Sequence, residues 1–163
     1  ASNGIVHVVD EVIDLPTVVT FAIADAATFS TLVAALTDSR IASANLVSTL
    51  NGTGPFTVFA PTNAAFTSLL DELDVTTGLP GIGASTLESV LKYHVVAGAN
   101  VLAGSLTEGQ IVTTFLDQTF KIGLTPAAKI TDASDRVSNI IVTDVQASNG
   151  VIHVIDKVLL PGS

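Results

Sequence analysis

The sequence predicts an α+β domain, because helical spacing fills its first half, short β-rich runs fill its second, and a knot of turn formers divides them. From Thr17 to Leu50 apolar residues recur at three- and four-residue steps (Val18, Phe21, Ala22, then Phe29, Leu32, Val33, Leu36). Two or three short helices are expected there, with Pro16 and Thr28 at their starts. Asn51-Gly52-Thr53-Gly54-Pro55 is too rich in breakers to be anything but a turn. Phe56 to Ala60 alternates and is aromatic and β-branched, which makes a strand. Pro61-Thr62-Asn63 then opens a helix carrying Phe66, Leu69 and Leu70. Ser85-Thr86-Leu87-Glu88 has the form of a capping box ahead of Val90, Leu91 and Val95, so another helix ends near Tyr93-His94. Beyond Gln110 the predicted strands are residues 111–116, 119–124, 129–132, 139–145 and 150–160. Asn149-Gly150 between the last two reads as a type I′ hairpin turn, with φ > 0 at both residues.

Composition narrows the function. The 163 residues suit one domain, and 48% apolar content is too high for disorder. Fifteen acids against six bases give a net charge of -9, which would repel nucleic acid and keeps an apolar chain soluble. The longest run without a charge, residues 41–70, is broken by Gly, Pro and Asn and offers no membrane-spanning helix. There is no Cys, so disulfides, thiolate metal sites and cysteine nucleophiles are excluded.

The chain also contains an internal repeat. Ala1-Ser2-Asn3-Gly4-Ile5-Val6-His7-Val8-Val9-Asp10-Glu11-Val12-Ile13 returns 146 residues later as Ala147-Ser148-Asn149-Gly150-Val151-Ile152-His153-Val154-Ile155-Asp156-Lys157-Val158-Leu159. Eight of the thirteen positions are identical, four exchange one aliphatic residue for another, and only Glu11/Lys157 changes character. Domain-sized spacing means one period of an array: residues 1–16 are expected to be the terminal strand of a preceding repeat and residues 17–161 one complete domain. The two copies have nearly the same shape, so both suit one slot in the sheet. The carboxy-terminal copy should take it, because its hairpin partner lies a few residues away and loop-closure cost grows with length. Residues 1–14, apolar on both faces, are then left to pack as an added strand or to mediate self-association.

Three stretches resemble the signatures of the fasciclin domain family: Phe56 to Phe66, the pair Tyr93-His94, and Asn149 to Pro161, in that order. The resemblance implies a fasciclin-like fold, with a helical first half and antiparallel β-sheets in a wedge or sandwich. It implies a role in secreted or surface-anchored adhesion proteins, often with tandem domains, and a partner-binding region around Tyr93 and His94. No Arg-Gly-Asp occurs, and the cysteine-free, acidic, Thr/Val-rich composition looks like that of a bacterial member.

Each candidate site has a plainer reading beside it. Tyr93 and His94 could form part of a partner-binding edge, but the plainer reading is favoured: a Tyr and a His at a helix end bury their rings and bond to backbone carbonyls. His7 and His153 lie on apolar strands and are expected to be core histidines. The acidic stretches 71–74 and 132–135 do not fit an EF-hand and read as solvated acidic loops, and three scattered histidines have no metal-type spacing, so no metal or cofactor is expected. No nucleophile elbow appears, which argues against a hydrolase. Asn51-Gly52-Thr53 is a glycosylation sequon in a predicted turn. With no catalytic constellation in view, the function the resemblance implies is a non-catalytic extracellular or cell-surface module that contacts a surface or matrix protein or polysaccharide. The alternative, which the resemblance also implies, is a carrier of an apolar small molecule such as a carotenoid, with Phe29, Phe56, Phe59, Phe66, Phe115 and Phe120 lining the pocket.

Overall fold

A computed structural model describes residues 15–162. Helices α1 (Val18–Ala24), α2 (Ala26–Leu36) and α3 (Leu46–Leu50) form the first third, with a 3₁₀ turn at Ser39–Ala44. Strand β1 (Phe56–Pro61) follows, then α4 (Asn63–Glu72), α5 (Ala84–Tyr93) and β2 (Val95–Ala97). The second half is β3 (Ile111–Thr113), β4 (Thr119–Gly123), β5 (Lys129–Thr131), β6 (Val137–Ala147) and β7 (Gly150–Ile155). The α+β class and the helical first half stand as predicted.

The strands make one seven-stranded sheet in the order β2-β1-β7-β6-β5-β4-β3. Its pairings are antiparallel except one: β1 runs parallel to β7 over six residues. The expectation of purely antiparallel sheets is corrected here, and the reason is burial. Both strands are buried at all six positions, the condition under which a parallel pair is stable. Helices pack on one face, where Val58, Ala60, Ile152 and Val154 meet Phe29, Leu32, Phe66 and Leu91. On the other face Phe59 and Ile155 meet Tyr93, Phe120, Ile122 and Ile130. The central strands are thus covered on both sides, with β6 carrying the sheet round: residues 140–147 pair with β7 and residues 137–139 with β5. The carboxy-terminal copy of the repeat fills the central slot; the copy at residues 1–14 lies outside the described residues.

Several local expectations are corrected. α1 is N-capped by Thr17, whose Oγ1 accepts from Thr20 N at 3.1 Å, but α2 begins at Ala26, so Thr28 lies inside it rather than at its start. The capping box fails because α5 starts one residue before Ser85, after Gly83; Glu88 instead pairs with Lys92 at 2.6 Å, one turn on. Strand β2 follows the Tyr93-His94 corner directly and had no signal of its own. The last hairpin turns on Ser148 and Asn149, since Ala147 already pairs with Gly150. Neither Asn149 nor Gly150 has a positive φ. Gly150 is required for another reason: a Cβ there would press into the Phe56 backbone, 2.8 Å from its carbonyl carbon.

Candidate functional site

Tyr93 and His94 sit where α5 ends. The helix presents Leu87, Val90, Leu91 and Tyr93 to the core, and the His94 N–H closes it by donating to Val90 O and Leu91 O. Neither ring reaches the surface: Tyr93 is 0% exposed and His94 3%. The Tyr93 hydroxyl donates to Thr119 O at 2.8 Å and accepts from Ala133 N at 3.0 Å, tying α5 to β4 and to the loop after β5. His94 Nδ1 lies 2.7 Å from Val90 O and Nε2 accepts from Leu159 N at 2.9 Å. A carbonyl can only accept and an amide can only donate, so the proton is on Nδ1. Burial pushes the His94 imidazolium down to about 4, against the opposing pull of the Val90 carbonyl and the Asp132 charge. The ring is therefore neutral at pH 7. Burial likewise holds the Tyr93 hydroxyl above its ordinary range.

Asp132 completes this cluster. Its Oδ1 accepts from Ser134 N and Arg136 N, both at 2.9 Å, and its Oδ2 from Leu160 N at 2.8 Å. Arg136 donates to Val158 O at 2.9 Å and pairs with Glu72. Gln118 receives Gly162 N at 2.8 Å and donates back to Gly162 O at 3.2 Å. The segment after β7 is thus held down at residues 158, 159, 160 and 162, by the side chains of Arg136, His94, Asp132 and Gln118 respectively. The sequence had marked only Tyr93 and His94 in this cluster; the Asp132 stretch read as a solvated acidic loop, yet Asp132 is 5% exposed.

A second cluster fastens residues 98–105. His153, fully buried, donates from Nε2 to Val101 O at 2.8 Å and lies stacked on Phe59 with ring centroids 5.3 Å apart. Thr57 Oγ1 bridges Ala99 O and Val101 N, both at 2.9 Å, and Asp144 accepts from Ala103 N at 2.8 Å. A third sits at the opposite end of β7. Asn149 accepts from Val18 N at 3.0 Å and donates to Leu50 O and Gly52 O at 2.7 and 2.9 Å. Asn51 is exposed beside it, its Oδ1 taking the Thr17 hydroxyl at 2.7 Å.

The interior offers little space. Between α1, α2 and β1 an enclosed apolar pocket of about 20 Å³ is lined by Phe21, Phe29, Val58 and Leu91 among others, room for about one water molecule. Five of the six phenylalanines proposed for a carrier pocket are buried in the two cores, and Phe115 is 40% exposed. Among the described residues no buried side-chain nitrogen or oxygen lacks a hydrogen-bond partner, and no three acids or histidines converge as metal ligands do.

The profile of the fasciclin domain matches residues 27–161. The chain belongs to the fasciclin domain family. It is 41% identical over 136 residues to the Synechocystis protein sll1483, covering 82% of this chain and 68% of that one. It is 37% identical over 142 residues to immunogenic protein MPB70 of Mycobacterium bovis, covering 81% and 63%. It is 33% identical over 165 residues to the pig transforming growth factor-beta-induced protein ig-h3, of which it spans 22%. The fold matches that of a FAS1 domain pair from the insect cell adhesion molecule fasciclin I, with a TM-score of 0.71 at 22% identity over 91% of this chain and 52% of that one. Of the residues that carry the resemblance, His94 ties the carboxy-terminal segment at Leu159, and Arg136, Asp132 and Gln118, which the resemblance did not mark, make the remaining ties.

Proposed function

We propose that this fasciclin domain is a non-catalytic adhesion or matrix-interaction module, working outside the cell or at its surface within a tandem array. The observation that carries the reading is how its reactive side chains are spent. Tyr93, His94 and His153 are the residues best suited to acid-base chemistry, and each is enclosed with its polar atoms committed to backbone groups. What remains to act is the surface. Kinship with a cell adhesion molecule supports the role, and among the described residues no helix is long and apolar enough to cross a membrane.

The contact surface we favour is the middle of β6. At the first of its two register shifts the strand leaves consecutive residues on the surface, Ile141 54% and Val142 47% exposed. Tyr93 and His94 serve partner binding from beneath, by fixing the loops they bond. An apolar carrier would have to open α1 and α2 away from β1, since small-molecule sites of this kind run to about 300 Å³ or more. The test is adhesion of cells, or capture of matrix proteins and polysaccharides, on the immobilised chain. Ile141→Ser with Val142→Ser should lower adhesion severalfold with the fold intact; undiminished adhesion would place the contact elsewhere. Turnover in an esterase, protease and glycosidase panel, lost in His94→Ala, would contradict the non-catalytic reading.

The tandem reading rests on β7. Asn149, Gly150, His153 and Asp156 make its specific contacts, and the repeat has the same residues at Asn3, Gly4, His7 and Asp10. The single change of character, Glu11 for Lys157, falls at an exposed position. Residues 3–13 therefore carry what a closing strand needs, and we assign them to a preceding domain.

A further inference from the structure

Resting on the reading of this domain as an adhesion module, we propose that the open face of β3, β4 and β5 binds an acidic polysaccharide, one of whose anionic groups is held between Lys121 and Lys129. The first ground is an imbalance of charge. The chain has six bases against fifteen acids, and four of the six are paired: Arg40 with Asp38, Lys92 with Glu88, and Arg136 and Lys157 with Glu72. Among the described residues Lys121 and Lys129 are the bases left without an acid partner. They are neighbours. Gly123 pairs with Lys129 and stands two residues from Lys121 on the same side of β4, so the lysines form a diagonal cross-strand pair, about 7 to 8 Å apart. On a chain of net charge -9, two cations left side by side without an acid mark a place for an anion from outside.

The second ground is the floor beneath them. The register of β3 with β4 continues to set Gly109 opposite Gly123, and the Gly109 N–H donates to Ile122 O at 2.9 Å. Neither glycine fills its place on the face, and both lysines lie down into the gap. Cε of Lys121 is 3.7 Å from where a Gly109 Cβ would stand, and Cγ and Cε of Lys129 are 3.2 and 2.9 Å from the matching point at Gly123. The stems thus cover the sheet and carry both charges over facing residues, whose Cβ positions are about 5 Å apart in such a pair. Two acids border the lysines, and both are spent on amides. Glu108 accepts from Leu124 N at 2.6 Å, and Asp156 accepts from Asn139 N and Nδ2, both at 2.7 Å.

The third ground is the rest of the face. Thr113, Thr119 and Thr131 share it with the lysines, because residues alternate in and out along these strands. In the row Ile111, Lys121, Thr131, Val137 the aliphatic residues stand at the flanks and the polar ones in the middle. A protein partner needs the reverse, an apolar centre with a polar rim. Hydroxyls and ammoniums on an open sheet suit a hydroxylated, anionic chain. A duplex carries one charge per about 1.7 Å, which the -9 of this chain opposes, whereas a polysaccharide spaces its charges by whole sugar rings. The exposed acids Asp117 and Asp135 lie in the turns at the other end of these strands and confine the anion to the end that carries Lys129.

The test measures binding of the full chain to immobilised polygalacturonate. Binding should exceed that to dextran or polyglutamate and weaken as salt rises from about 50 to about 500 mM. It should fall about tenfold in Lys121→Gln with Lys129→Gln and be retained in Lys121→Arg with Lys129→Arg, which separates lost charge from lost fold. Lys92→Gln with Lys157→Gln makes the same change in net charge at paired lysines and should bind as the unaltered chain does. Equal losses in the two glutamine variants would show that net charge alone is sensed and would overturn the site. Stronger binding to polyglutamate would also overturn it, by making the partner an acidic protein. No binding to polygalacturonate by a chain whose cell adhesion is still lost in Ile141→Ser with Val142→Ser would overturn this inference and leave the adhesion reading standing. Binding by a chain that supports no adhesion would uphold the site and count against that reading.

Discussion

The two ends of β7 do the same job in opposite surroundings. At the upstream end Asn149, half-buried beside an open cleft, captures three backbone groups with a neutral amide. At the downstream end His94, sealed in the core, captures two with an imidazole that burial keeps neutral. The difference teaches that a titratable side chain at a dry site must be held in one protonation state to serve as a tie, whereas an amide at a wet one carries no such condition. Stability at the two ends should therefore respond differently to mutation and to pH.

The largest effect is expected at the upstream end. Gly150→Val would drive a side chain into the Phe56 backbone, which cannot yield as a flexible side chain can, and should cost about 4 kcal/mol or more in denaturant unfolding. A loss below about 1 kcal/mol would show that β1 and β7 separate easily. Next is His94→Leu, which leaves Leu159 N buried without its partner and Val90 O with only the backbone N–H of residue 94, and should cost about 3 kcal/mol. Asn149→Ala removes three hydrogen bonds but lets water replace some of them, so about 2 kcal/mol is expected, with the same loss at pH 5 and pH 7. Tyr93→Phe keeps the ring and deletes the bonds to Thr119 and Ala133, for about 1 to 2 kcal/mol. Smallest is Glu88→Gln, whose half-exposed pair with Lys92 should be worth under about 0.5 kcal/mol.

The contrast also marks what the sequence could show. Helical spacing revealed α1, α2, α4 and α5 because each buries an apolar stripe, and a β-rich run revealed β7 because that strand is apolar on both faces. The parallel pairing of β1 with β7 was hidden, since nothing in Phe56 to Ala60 says which distant strand it will join. The turn was placed one residue late because Asn-Gly is a local signal, whereas Gly150 answers to the backbone of Phe56 across the sheet. Asp132 and Asp144 escaped for a related reason: an acid in a loop or on the open face of a strand reads as solvated until the fold brings backbone amides onto it. Tyr93 and His94 were legible as residues, and burial of their rings was the plainer of two readings; the groups they bond, Thr119, Ala133 and Leu159, were not legible because the fold brings them from distant parts of the chain.

The pH dependence follows from the same burial. An unfolded chain protonates His94 near 6.5 and the folded chain only near 4, so the unfolded state binds more protons between those values. Stability due to this ring is complete above about pH 6.5 and falls by about 3 kcal/mol as pH drops to about 4. The most direct measurement is an NMR titration of the His94 ring nitrogens in the folded chain. The account predicts a neutral ring protonated on Nδ1, with no titration until the pH nears 4 or the fold is lost. A His94 that titrates near 6.5 while the domain stays folded would mean that the ring reaches solvent, and that Tyr93-His94 is a surface site instead of an internal tie.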